Sequence, residues 1–306
     1  MVVSMGAKAR FCKDCNLAIR LFQEPYFTER LELYDKFFST MEKWKRFTEE
    51  LEKYGCEQDY FEEYNRVKDA AIGSIKSSEG YKRFNQDSME KYLLTNKGLP
   101  AHDIFHDSND KGSFISIDMK KANFSALKHY DSGIFGGAES WEEFIGRYTG
   151  NQHIVQSKYI RQVILGNCNP RRQVTYEKFL MDGVLSSLDC KERVVFFSND
   201  EIVLKVSDME EKDRVSLAKR IQKSTEDQEI PLRVELFTLH KIGGTHGFCK
   251  KIHRGGIELK GLDNFYMPFV LRKLQGEEVT ENDRVFYHQG LLSKFLEVPE
   301  VEIALE

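Results

Sequence analysis

FISIDMKKANFSALKHYD (Phe114–Asp131) joins a short apolar run to a helix-like run, with Asp118 at the junction. The preceding residue extends the apolar run to SFISI (Ser113–Ile117), which predicts a β-strand. The segment from Met119 to His129 is typical of a helix. Asp118 is therefore expected where a strand ends and a helix begins.

A second segment, VVFFSNDEIVLKV (Val194–Val206), predicts a β-hairpin. Its two β-rich runs, Val194–Phe197 and Ile202–Val206, flank the polar residues SNDE. Asp200 and Glu201 are consequently expected at the tip of the hairpin.

The order of the remaining segments indicates an α+β fold around an antiparallel sheet. Amphipathic helices are expected from Glu29 to Lys91, and a loop from Thr95 to Gly112. Other predicted elements are helices at Gln156–Leu165, Arg171–Leu188 and Glu210–Gln228, and a strand at Leu232–Leu239. We predict a helical region at residues 1–112, the sheet at 113–243 with an insert at about 133–192, and a mixed extension at 244–306.

Composition favours an ordinary globular protein. The chain has 306 residues, of which 41% are hydrophobic and 31% are charged, with a formal net charge of -4. Because it contains no apolar run of 18 residues and no signal-like beginning, we expect a soluble, intracellular protein that does not enter a membrane. Cys12 and Cys15 form a lone CxxC pair, which lacks the further ligands of a zinc site.

The acidic residues suit phosphoryl transfer with two divalent ions. Such chemistry needs carboxylates from separate elements at one edge of a rigid sheet, because Mg²⁺ prefers carboxylate oxygens and retained waters. Asp118, Asp200 and Glu201 meet that requirement. Each alone also fits a structural role, since Asp is common in turns and at strand ends.

The segments that contain Asp118 and Asp200 resemble motifs of family A DNA polymerases. Phe114–Asp131 is similar to the first palm motif, and Val194–Val206 to the third, with Asn199 where the family has His. Ile230-Pro231-Leu232 then resembles the family's Val-Pro-Leu at the opening of the next strand. The first segment also fits reverse transcriptases, which share the palm, through Ala122 and Phe124.

The run RRQVTYEKF (Arg171–Phe179) resembles the first half of the family's fingers helix. The resemblance implies that Arg171 and Lys178 hold a triphosphate and that Phe179 stacks on a base. Thr175 stands where the family has its phosphate-binding Lys, and Lys178 lies on the same helix face. Asn123 and Phe124 are expected near the nucleotide, with the choice of sugar left open.

The resemblance implies a palm with reduced fingers, a thumb-like or accessory N-terminal region, and no exonuclease domain. It also implies a nucleotidyltransferase that uses Mg²⁺ (or Mn²⁺), a primer and template, and nucleoside triphosphates. A replication partner protein and a viral or mobile-element setting are expected only by analogy. Two alternatives remain open, namely a template-independent transferase or nucleotide synthetase, and a non-catalytic nucleic-acid-binding module.

A basic segment near the end of the chain has two open interpretations. Lys250, Lys251 and Arg254 lie in a Gly-rich stretch, HGFCKKIHRGG, which we interpret as a loop. Such a loop either follows a phosphate backbone or forms a solvated turn.

Overall fold

A six-stranded antiparallel sheet forms the centre of the computed structural model, which describes residues 2–305. Its strand order is β2-β3-β1-β4-β5-β6, and a separate pair is β7-β8. The strands are β1 Ser113–Met119, β2 Val194–Phe197, β3 Glu201–Lys205, β4 Leu232–Lys241, β5 Phe248–Ile252, β6 Ile257–Lys260, β7 Val285–His288 and β8 Leu291–Lys294. The predicted α+β class with an antiparallel sheet is confirmed.

Helices precede the sheet and connect its strands. They are α1 Met5–Asp14, α2 Tyr26–Phe38, α3 Thr40–Leu51, α4 Glu57–Ser77, α5 Glu79–Gln86, α6 Ala122–Tyr130, α7 Trp141–Gly146, α8 Gln152–Gln156, α9 Lys158–Gly166, α10 Pro170–Ser186, α11 Glu211–Glu226 and α12 Met267–Gln275. Among residues 2–305, no helix combines the length and the apolar character needed to cross a membrane.

The first four strands and the intervening helices run β-α-β-β-α-β, with β1 between β3 and β4. Strand β1 is buried along almost its whole length, because Ile115 and Ile117 pack against the helices. On the other face, Phe114 stacks on Phe237 with ring centroids 5.6 Å apart. A strand packed on both faces is held rigidly, so the residue at its end has a fixed position.

One hydrophobic core joins the regions that the sequence suggested as separate. It extends from Ala7 in α1 through α4, β1 and α10 to Leu271 in α12. The boundaries predicted at 112/113 and 243/244 therefore do not coincide with gaps in the core. Helices α7 to α10, the predicted insert, also contribute buried residues to it. The helix predicted at Gln156–Leu165 corresponds to α9, which begins two residues later because Ser157 caps it by accepting a hydrogen bond from the Ile160 N–H.

Candidate functional site

Asp118 lies near the end of the buried central strand. It is directly opposite Glu201 on β3 and Arg233 on β4. Residues directly opposite each other in an antiparallel sheet project from the same face. The sheet therefore presents two carboxyl groups and one guanidinium side by side at this point.

The turn between β2 and β3 brings Asp200 to the end of β1. The Met119 N–H donates a 2.8 Å hydrogen bond to the Asp200 carbonyl oxygen. Within the turn, the Ser198 hydroxyl oxygen accepts from the N–H groups of Asp200, at 3.3 Å, and Glu201, at 2.9 Å. Asp118 and Asp200 thus belong to neighbouring elements at one edge of the sheet, which is the arrangement that the sequence predicted.

Carboxyl groups are crowded at this edge. Burial raises the pKa of Asp118; Arg233 opposes this effect, and the nearby carboxyl groups of Asp200 and Glu235 add to it. Burial also raises the pKa of Glu201 to about 7, with Asp118 and Asp200 adding to the shift and Lys250 opposing it. Because like charges repel in a partly buried site, a cation placed here relieves unfavourable electrostatics.

Arg233 supplies part of the compensating charge. Its guanidinium lies 3.3 Å from Asp118 Oδ2 and 3.3 Å from Glu235 Oε1. The side chain of Arg233 is still 44% exposed, so it also reaches solvent. The sequence analysis did not single out Arg233 or Glu235. The alternation in LRVELF (residues 232–237) could have indicated them, because it places both charged side chains on one face of β4.

The acidic residues fit a magnesium ion only with help from other ligands. Among residues 2–305, no group of three or more His, Cys, Asp or Glu side chains is arranged to hold a metal ion. Mg²⁺ is commonly bound by one or two carboxylates, together with waters and substrate phosphates. Asp118 and Asp200 are the two carboxylates at this edge that could contribute to such a site.

A buried carboxyl group on α10 accepts a hydrogen bond from the turn between β2 and β3. Glu177 on α10 is only 3% exposed, and its Oε2 accepts a 2.5 Å hydrogen bond from the Asn199 side-chain amide. Burial raises the pKa of Glu177 to about 7; the hydrogen bond from Asn199 opposes the shift and Asp200 adds to it. Sequence analysis missed Glu177, because only tertiary packing brings α10 to the turn.

The residues predicted on the fingers helix, Arg171, Lys178 and Phe179, all belong to α10. Lys178 Nζ is 5.3 Å from the centroid of the Phe197 ring. Phe179 is half-buried and packs against Tyr92 and Tyr176, with centroid distances of 5.4 and 6.1 Å. Its ring therefore already takes part in packing, and its stacking on a base stays a prediction.

The first turn of α10 is more accessible to solvent. Arg171 is exposed, and its carbonyl oxygen accepts a 3.1 Å hydrogen bond from the Thr175 hydroxyl. Arg171 is thus accessible to an anion. A different residue of the same helix, Glu177, contacts the acidic turn. The contribution of Arg171 to triphosphate binding stays a prediction.

The predicted contact between Phe124 and a nucleotide stays a prediction, although little of this side chain reaches solvent. Phe124 is 5% exposed and packs 4.6 Å from Phe135, centroid to centroid, inside the core. Its position in the first turn of α6 points it toward the insert, where Trp141 also contacts it. Asn123 is half-buried beside it, and its proximity to a nucleotide stays a prediction.

The basic segment near residue 250 is a strand rather than a loop. Lys250 and Lys251 belong to β5, and only Arg254 lies in the following turn. Lys250 is 5% exposed, and its ammonium lies 2.7 Å from Glu235 Oε2 and 3.5 Å from Glu258 Oε2. Two carboxylates already neutralise Lys250, which favours a structural role for it, and its binding to a phosphate backbone stays a prediction. Lys251 and Arg254 are exposed.

Comparison with known proteins adds no relative. No protein-family model matches the chain, and neither a curated protein nor a solved structure matches it.

Proposed function

We propose that this chain is a metal-dependent nucleotidyltransferase that extends the 3' hydroxyl of a nucleic acid from nucleoside triphosphates. The observation that carries the proposal is the meeting of Asp118 and Asp200 at one sheet edge. The two residues are joined through the hydrogen bond between Met119 and the Asp200 carbonyl. Asp118 also carries a pKa that burial and the Asp200 charge raise. Two adjacent carboxylates on rigid elements are what a two-metal phosphoryl transfer needs.

In the proposed reaction the 3' oxygen attacks the α-phosphorus, an O–P bond forms, and the bond to pyrophosphate breaks. Asp118 and Asp200 would hold Mg²⁺ or Mn²⁺, and the ion would supply acidification of the hydroxyl and charge neutralisation at the leaving group. Glu201 faces the same side of the sheet as Asp118, so its carboxylate is placed to accept the proton that the 3' hydroxyl releases. Ser198 and Asn199 hold the turn and so fix the position of Asp200.

The order of elements supports a polymerase palm as the finer description of the sheet. Strand β1 with Asp118, the acid-tipped β2-β3 hairpin, and β4 after Pro231 follow one another as in the two families that the sequence resembles. Fold alone does not establish an activity, since related folds host different chemistries. The proposal therefore depends on the acidic site.

A primer-extension assay with Mg²⁺ or Mn²⁺ tests the activity directly. We expect incorporation by the wild type, and a loss of about 100-fold or more for Asp118→Asn and Asp200→Asn, because each removes a metal ligand. Asp189→Asn, at an exposed bend, is the matched control and should keep full activity. Equal background from wild type and both site variants would leave the non-catalytic binding module as the function.

Template-independent transfer is the second candidate, and the packing of the insert favours it. Helices α7 to α10 are part of the common core and contribute residues such as Trp141 and Ile164. A compact insert leaves less surface for reading a template base than extended fingers. Extension of one primer with and without a complementary template separates the two activities. Incorporation of the complementary nucleotide alone would exclude the template-independent candidate.

A further inference from the structure

A cleft of about 780 Å³ lies beside the proposed active site. One wall comes from the end of α1, the segment after it and α2, another from α9, and a third from β6 and the residues after it. Arg233 also lines the cleft, and its guanidinium contacts Asp118. The side chain of Arg233 therefore lies between the cleft and the residues that would hold the metal.

Several cations line the cleft. Lys13, Arg20 and Lys158 are exposed, and none of them forms an ion pair with another residue of the 2–305 range. Lys13 Nζ, near the end of α1, lies 5.8 Å from the centroid of the Tyr159 ring on α9. Lys260 is paired with Glu258 at 2.9 Å. Three uncompensated cations that converge on one cleft produce a positive potential in a protein whose net charge is negative.

Part of the lining of the cleft is apolar. Its apolar lining includes Leu17, Tyr34, Phe38, Leu259 and Met267. A volume of this size suits one small molecule, since ligand pockets measure roughly 300–1,000 Å³. A lining that combines three unpaired cations with apolar side chains matches a molecule that has both several phosphates and a flat ring.

We propose that this cleft binds the nucleoside triphosphate, with Lys13, Arg20 and Lys158 contacting its phosphates and the apolar lining contacting its base. The role in transfer rests on the proposed function, but binding itself does not. The phosphate-binding cations would then come from α1, the segment after it and α9 rather than from α10. Arg233 connects the two sites, because it can pair either with Asp118 or with a phosphate.

The experiment measures binding of ATP and of inorganic tripolyphosphate by calorimetry, with the full chain carrying Asp200→Asn to prevent turnover. The triple variant Lys13→Gln, Arg20→Gln and Lys158→Gln should weaken both ligands at least about tenfold, because each cation contributes charge-assisted hydrogen bonds. The control triple variant Lys97→Gln, Lys191→Gln and Lys212→Gln changes net charge equally at exposed positions outside the cleft. It should bind as the parent does.

The outcomes separate this inference from the proposed function. Binding of ATP that depends on the three cations supports the cleft even if no primer is extended. Equal affinity of the cleft and control variants for ATP and tripolyphosphate overturns the assignment, whether or not the protein is a transferase. A defect in binding a single-stranded 12-mer with unchanged ATP binding also overturns it, because the cleft would then hold a nucleic-acid strand. Thermal unfolding of each variant shows whether the fold is kept.

Discussion

The guanidinium of Arg233 lies 3.3 Å from the carboxylate of Asp118, on the neighbouring strand of the same sheet. A protein cation therefore occupies part of the space around the residue that we propose as a metal ligand. Arg233 also contacts Glu235 at 3.3 Å, so it has a second carboxylate to which it can remain attached. Binding of a divalent ion by Asp118 must compete with this arginine.

Replacement of Arg233 by Gln should strengthen metal binding in the absence of nucleotide. The variant removes a competing positive charge from Asp118, and the pair is partly exposed, so the gain should be modest, about two- to fivefold in affinity. Titration of Mn²⁺ followed by electron paramagnetic resonance measures it. Arg233→Lys keeps the charge and should bind Mn²⁺ about as the wild type does. Weaker binding by the Gln variant would mean that Arg233 orients Asp118 rather than competes with the metal.

Asp200→Asn should stabilise the metal-free protein at alkaline pH. The Asp200 charge raises the pKa of Asp118, Glu201 and Glu177, so it repels three other carboxyl groups. The Asn side chain can still accept the hydrogen bond from the Ser198 hydroxyl, which is 3.0 Å long in the wild type. We expect a gain of roughly 1 kcal/mol in the free energy of unfolding at pH 8.

In the presence of Mg²⁺ we expect the wild type to be more stable than Asp200→Asn. The ion should raise the melting temperature of the wild type, because it binds the folded state only, and should have little effect on Asp200→Asn. The exposed control Asp189→Asn should respond to Mg²⁺ like the wild type. If Mg²⁺ stabilises Asp200→Asn as much as the wild type, Asp200 is not a metal ligand.

Local patterns predicted the part of the fold that carries the acids. The runs around Asp118 and Asp200 alternate or are rich in β-branched residues, and β2 has the predicted bounds, Val194–Phe197. Strand periodicity and turn chemistry act within a few residues, so one sequence reveals them. The position of Asp200 beside Asp118 then followed from the expectation of an antiparallel sheet.

Long-range packing explains what the sequence did not predict. Strand β5 is stabilised by pairing with β4, and Lys250 is buried only because Glu235 and Glu258 lie beside it on the neighbouring strands. Nothing within the Gly-rich sequence itself reveals those partners. The cationic cleft was not predicted either, because Lys13 and Lys158 are 145 residues apart in the chain and belong to different helices.

The assignment of Lys250 to structure rather than to nucleic-acid binding is testable by substitution. Lys250→Gln should lower the free energy of unfolding by roughly 2 kcal/mol, because it leaves two carboxylates without their buried partner. Arg254→Gln, in the exposed turn that follows, should leave stability within about 0.5 kcal/mol of the wild type. Denaturant unfolding measures both. An unchanged unfolding midpoint for Lys250→Gln, together with weaker binding to DNA, would restore the original interpretation.

Glu177 makes stability depend on pH. Its pKa rises from the usual 4.5 to about 7 in the folded state, so between those values the folded protein holds a proton that the unfolded chain releases. The contribution of Glu177 to stability is therefore greatest below pH 4.5 and is lost as the pH rises through 7. Glu201 has a shift of the same direction and adds to this dependence.

Glu177→Gln should remove the part of this dependence that Glu177 causes. The Gln carbonyl can still accept the hydrogen bond from Asn199, so the turn keeps its support while no buried charge forms at high pH. At pH 8 the variant should be more stable than the wild type by roughly 1–3 kcal/mol, and at pH 5 the two should be nearly equal. Unfolding by urea at pH 5, 6, 7 and 8 gives both curves. Parallel curves would show that Glu177 ionises with an ordinary pKa, and that the amide of Asn199 is sufficient to stabilise its charge.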